Sequence, residues 1–74
     1  MPPFPRTTPR RVLIKKLRRL GFDGPYGQGR KHPFMRRGTL TLHVPNEHGE
    51  DLGITLVRDI LRKGGVPEDE YLSA

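Results

Sequence analysis

Gly38-Thr39-Leu40-Thr41-Leu42-His43-Val44-Pro45 (GTLTLHVP, residues 38–45) alternates without a break. Leu40, Leu42 and Val44 fall on one side of an extended chain, and Thr39, Thr41 and His43 on the other. That is the two-residue period of an antiparallel strand with one face buried and one face wet. Arg37 and Gly38 turn the chain into it, and Pro45 ends it. Such a strand needs a partner. Upstream, Arg30–Arg36 (RKHPFMR) reads as a strand, with Pro33 favouring an edge or a bulge. Phe22–Tyr26 reads as a third, short strand weakened by Gly24 and Pro25, with a turn at Gly27-Gln28-Gly29.

Helices flank this sheet. Leu13, Leu17 and Leu20 recur at helical spacing, broadened by Val12 and Ile14, and basic residues fill most of the rest. Thr8 is the expected N-cap and Pro9 the expected first helical residue. Gly21 is the expected left-handed stop, with Phe22 folding back on the last turn. On the far side, Asn46–Gly53 reads as a polar loop. A second helix follows, with Thr55 as its expected cap, a stripe of Val57, Ile60 and Leu61, and an end at Gly64-Gly65. Pro67 opens a short acidic turn in which Tyr71 and Leu72 are the docking residues. The order is helix, two or three strands, helix. The expected class is α+β, with both helices covering one face of the sheet and the other face left to solvent or ligand. Met1–Thr8, rich in proline, is expected to be a loose extended arm, and residues 9–74 a single domain.

The chain has 74 residues and no cysteine, which excludes a disulfide framework and a cysteine-based zinc site. A domain of this size buries about 60% of its unfolded surface, so any site lies on a face or in a shallow groove. No apolar run approaches the roughly 18–20 residues of a membrane span, and prolines interrupt the N-terminus where a signal peptide needs an apolar stretch. A cytoplasmic protein is the simplest expectation. The net charge is +6 and unevenly spread. Residues 1–37 hold 11 Lys/Arg against one acid (+10), and residues 38–74 hold 3 against 7 (−4). A basic front half suits a polyanion; it is also what a solvated basic face looks like.

Little here supports covalent or metal chemistry. The only serine is Ser73, at the frayed end. The stretch GPYGQGRK lacks the ending of a phosphate-binding loop, and His43, Glu47, His48, Glu50 and Asp51 match no zinc spacing. RNA cleavage needs less, because the substrate's own 2′-OH is the nucleophile. A histidine with an ordinary pKa near about 6.5 can move the proton, while Arg and Lys hold the phosphate. His32 stands after Arg30 and Lys31, with Arg36 and Arg37 just beyond. From the residues alone, both a catalytic and a structural role stay open for it. A non-catalytic RNA-binding module would use the same basic surface. His43 is expected to face solvent.

In this order the pieces resemble the HicA, or YcfA-like, mRNA interferase toxins of type II toxin–antitoxin systems. Arg10–Phe22 is similar to the family's opening helix. Gly29–Met35 (GRKHPFM) resembles the segment with its histidine, and Leu42–His48 (LHVPNEH) the strand ending in Val-Pro. Leu56–Val66 (LVRDILRKGGV) resembles the following helix, and Glu68–Leu72 the acidic, aromatic tail. The resemblance implies a fold like that of double-stranded-RNA-binding domains, helix–three strands–helix. It implies a metal-independent endoribonuclease without cofactor that cleaves mRNA, with His32 as the catalytic residue and Gly29 as the supporting turn. It also implies a HicB-type antitoxin as partner. Arg30, Lys31, Arg36, Arg37, Lys15 and Lys16 are the expected RNA-binding residues, and the free toxin is expected to be a monomer. Where many members have Gly-Ser-His, this chain has Arg30 and Lys31 between Gly29 and His32.

Overall fold

The computed structural model describes residues 4–27, 33–45 and 51–74. Eight elements follow in chain order: β1 (Thr7–Pro9), α1 (Arg10–Arg19), β2 (Asp23–Tyr26), β3 (Phe34–Arg37), β4 (Leu40–His43), β5 (Asp51–Gly53), α2 (Ile54–Lys63) and α3 (Glu68–Ser73). The class is α+β, as the sequence indicates, but with two antiparallel sheets and three helices among the described residues. One sheet has the order β2-β3-β4. The other pairs β1 with β5, Thr7 opposite Gly53 and Pro9 opposite Asp51.

The strand chosen by its alternation behaves as expected. Leu42 and Val44 are buried and Leu40 half-buried, while Thr41 and His43 are exposed. Of the expected strand RKHPFMR, Arg30–His32 lie outside the described residues, and β3 runs from Phe34. Pro33 precedes it, fully buried, and its carbonyl accepts from the Val44 amide at 3.1 Å. The centre of the sheet is β3, not an edge. Pro33 escapes the penalty of a central proline because it sits before the first ladder residue. The bond Gly24–Pro25 is cis, and the β2–β3 register shifts between Asp23 and Tyr26.

Both long helices end alike. Gly21 and Gly65 adopt positive φ (99° and 66°), which a Cβ would oppose. The Phe22 amide then reaches back to the Leu17 carbonyl, and Val66 to Leu61, at 3.0 and 2.9 Å. These are Schellman closures, each with its buried apolar residue. The helix starts differ from expectation. Thr8 is not a cap: it is buried in β1, and the N-cap of α1 is Pro9 without a side-chain bond. Thr55 lies inside α2, whose N-cap is Gly53, also without one. Both starts are instead fixed by the β1–β5 ribbon, since each of its strands runs directly into a helix. The Ile54 amide donates to the Arg6 carbonyl at 2.9 Å, and Arg10 Nε to the Pro45 carbonyl at the same distance.

One core joins the layers. Leu13 and Leu17 of α1 and Val57, Ile60 and Leu61 of α2 are buried with Met35, Leu42, Val44, Phe22, Leu52, Val66 and Tyr71. The arm expected to be loose is extended but attached over its described part. Phe4 stacks on Tyr71 with centroids 5.8 Å apart, and Thr7–Pro9 is paired into the ribbon. Cations cover both rings of that stack: Arg58 lies 5.0 Å from Phe4, and Lys16 lies 4.8 Å from Tyr71. The terminal acidic turn is a helix in its own right, with Glu68, Asp69 and Glu70 in its first turn, where the helix dipole favours negative charge.

Candidate nucleic-acid interface

Cross-strand partners share a face, so the register sorts the sheet's side chains. Met35 pairs with Leu42 and Arg37 with Leu40, on the side of the core. Phe34 pairs with His43 and Arg36 with Thr41, on the opposite side. Tyr26 and Asp23 join that opposite side by pairing with Phe34 and Arg36. Tyr26, Arg36, Thr41, His43 and Asp23 are exposed, and Phe34 is half-buried. The sheet thus carries a polar and aromatic outer face. At one end of that face lies the Tyr26–Phe34 pair, centroids 5.6 Å apart and tilted by 39°. The Arg36 guanidinium lies 5.7 Å from the Phe34 ring. Tyr26 keeps 47% of its surface in solvent. An aromatic held open this way offers a π-face to a flat ligand, with a guanidinium beside it for an anion.

The basic residues expected to bind RNA separate in the structure. Among the four that it describes, Arg36 alone lies on the outer sheet face. Lys15 is exposed on α1. Lys16 is spent on the α3 end: its Nζ covers Tyr71 and donates to the Tyr71 carbonyl at 3.4 Å. Arg37 points the other way from Arg36. Its guanidinium lies 4.5 Å from the Phe22 ring and donates to the carbonyls of Leu20 and Gly64 at 3.1 and 3.2 Å. Those two residues are the C-caps of α1 and α2. Arg37 therefore places a positive charge on the negative ends of both helices and satisfies carbonyls that have no partner within the helix. Its guanidinium is thus engaged by the two helix ends. Gly29, Arg30, Lys31 and His32 lie outside the described residues, as does His48.

A groove between α2 and α3, lined by Leu56, Arg58, Asp59, Leu61, Val66 and Glu68 among others, is a weaker candidate for a polyanion. Its charges are already paired. Arg58 meets Glu68 at 3.4 Å, and Asp59 is bound by Arg62 and by Lys63, the latter at 3.0 Å. The hydrogen bonds from Lys63 and Arg62 hold the Asp59 carboxyl below its ordinary value of 3.8. Among the described residues, no group of three or more His, Asp or Glu is placed to hold a metal.

Sequence reasoning missed Tyr26 and Phe34 as surface residues. Phe34 stands next to Met35, so two apolar neighbours leave the phase of the alternation open. Only the pairing with His43 decides it.

Fold and face together define a small basic α+β protein with one open sheet face bearing rings and a guanidinium. The family model for the HicA toxin of bacterial toxin–antitoxin systems matches residues 10–66. The chain belongs to the HicA toxin family, and membership implies an antitoxin as partner. No curated protein and no solved structure matches it. Among the described residues, no helix is long and apolar enough to cross a membrane.

Proposed function

We propose that this chain is the endoribonuclease of its toxin–antitoxin pair, an mRNA interferase that works without a metal in the cytoplasm, with His32 as the catalytic residue. The family match over residues 10–66 carries this reading, because that span includes the GRKHPFM segment. The chemistry asks for one imidazole beside cations. His32 takes the proton of the substrate's 2′-OH, and the 2′-oxygen attacks the neighbouring phosphorus. The bond to the 5′-oxygen breaks, leaving a 2′,3′-cyclic phosphate and, after protonation, a 5′-hydroxyl. Arg30, Lys31 and Arg36 neutralise charge on the phosphate, Lys15 extends the basic surface, and Gly29 turns the chain before them. Arg30, Lys31 and Arg36 come from one short basic segment, which supports the reading. So does the anchoring of Pro33, next in the chain to His32, by burial and by its bond from Val44. In this reading the fold is of the double-stranded-RNA-binding type, the free toxin is a monomer, and a HicB-type antitoxin covers the site.

The test is cleavage of a single-stranded RNA in EDTA by purified protein, wild type against His32→Ala. Wild type is expected to leave cyclic or 3′-phosphate ends, and His32→Ala to bind without cutting. Equal cutting by both proteins refutes the assignment. Salt-sensitive binding with intact RNA from wild type favours instead a non-catalytic RNA-binding module, which the open sheet face would equally serve.

A further inference from the structure

We infer that the outer face of the β2-β3-β4 sheet is a stacking platform for unpaired bases, with Tyr26 as the outer ring, Phe34 as its neighbour and Arg36 as the phosphate contact. This rests on the reading of the protein as RNA-directed and assigns the surface that holds the strand.

Three observations carry it. Tyr26 is the large hydrophobic side chain left exposed among the described residues, at 47%, where Phe22 and Tyr71 are buried and Phe4 and Phe34 half-buried. It is not isolated: the Phe34 ring lies beside it across the ladder, centroids 5.6 Å apart and tilted by 39°, which restricts the ring before any ligand arrives. Beside it, Arg36 lies over Phe34 at 5.7 Å, and His43 stands opposite Phe34 in register. This places a cation within reach of the backbone of a strand whose base lies on Tyr26. The face carries one carboxylate, Asp23, opposite Arg36 at the far end from Tyr26. The half of the chain that builds β2 and β3 carries +10, which suits a polyanion and not an acidic-patch-seeking protein. Base stacking fits the geometry better than duplex binding. A duplex presents sugars and phosphates outward and hides its π-faces, so an exposed ring pair gains nothing from it.

The experiment measures binding of a uniformly 2′-O-methylated RNA of about 12 nucleotides, within the usual footprint of such surfaces. The methyl group removes the nucleophile, so binding is read without cleavage. Wild type, Tyr26→Ala and Tyr26→Phe are compared by anisotropy at fixed salt, along with the same strand annealed to its complement. Tyr26→Ala is expected to bind on the order of tenfold more weakly, the loss of one base stack. Its dependence on salt should be unchanged, since no charge is removed. Tyr26→Phe should bind as wild type, because the π-face and not the hydroxyl is used. With no tryptophan in the chain and Tyr71 buried, quenching of tyrosine fluorescence on binding should report Tyr26 and vanish in Tyr26→Phe. The platform is refuted if Tyr26→Ala binds like wild type, or if the duplex binds as tightly as the single strand. Cleavage of unmodified RNA by wild type is scored separately. Cleavage with an unaffected Tyr26→Ala affinity removes the platform alone. Absent cleavage with tenfold weakening removes the enzyme reading and leaves the platform standing.

Discussion

Arg36 and Arg37 are neighbours of the same chemistry, and the structure gives them opposite tasks. Replacing each by alanine separates those tasks. Arg37 donates to two helix-end carbonyls at 3.1 and 3.2 Å and covers Phe22 at 4.5 Å. A hydrogen bond from a charged donor is worth about 1.5–3 kcal/mol, and a partly exposed cation–π contact about 0.5–1 kcal/mol. These contributions share one side chain and are not additive. Water also reaches the freed carbonyls, because the side chain is only half-buried. The expected cost of Arg37→Ala is therefore about 2–3 kcal/mol, against a total stability for such a domain of about 5 kcal/mol. At about 4–8 °C per kcal/mol the melting temperature should fall by roughly 10–20 °C. Arg37→Lys should recover part of this, since an ammonium reaches one carbonyl but lacks the fork that spans two. Arg36→Ala should change stability by less than about 0.5 kcal/mol and weaken RNA binding. Urea and thermal unfolding followed by circular dichroism give the first quantity, and anisotropy at a temperature where each variant is folded gives the second. If Arg37→Ala melts with wild type yet loses RNA affinity, the bridge between the two helix ends is not a stabilising contact and the division between the neighbours is wrong.

Other outcomes follow from the same geometry. Leu17→Ala removes a side chain with no exposed surface and should cost roughly 2–5 kcal/mol by denaturant titration; a change under about 0.5 kcal/mol would place that stripe in water. Gly21→Ala forces a Cβ into positive φ (99°) and should cost about 1–2 kcal/mol; an unchanged midpoint would mean the turn has another low-energy form. The hydroxyls of Thr8 and Tyr71 are buried without a well-formed hydrogen bond. Tyr71→Phe should thus be neutral or stabilising, and a loss above about 1 kcal/mol would show a partner for that oxygen. Burial pushes the Tyr71 hydroxyl above its ordinary value of 10.0, with the nearby Thr8 hydroxyl opposing in part. The unfolded chain then gives up this proton first. The stabilisation is complete below pH 10 and lost as pH rises through the folded value. Melting temperatures of wild type and Tyr71→Phe between pH 8 and pH 11 should diverge only at the alkaline end.

Local pattern determined much of this protein. The alternation of TLTLHV, the leucine stripe from Leu13 and the glycine stops at Gly21 and Gly65 each involve residues a few positions apart, so short-range geometry alone decides them. The family was also legible in the order of those pieces. What only the tertiary structure decided involves partners far apart in the chain. The β1–β5 ribbon joins residues 7–9 to residues 51–53. A three-residue strand has too little period to announce itself, and Thr8 reads locally as a cap until its hydroxyl is found buried. The same holds for the two arginines. Phe34 and Met35 are both apolar, so period two fits either phase of β3. The choice falls to packing, which buries Met35 against Leu42 and leaves Phe34 beside Tyr26. That single step sends Arg37 inward to the helix ends and Arg36 outward. A one-residue slip of a strand exchanges its faces, and the hydrophobic core is what forbids the slip.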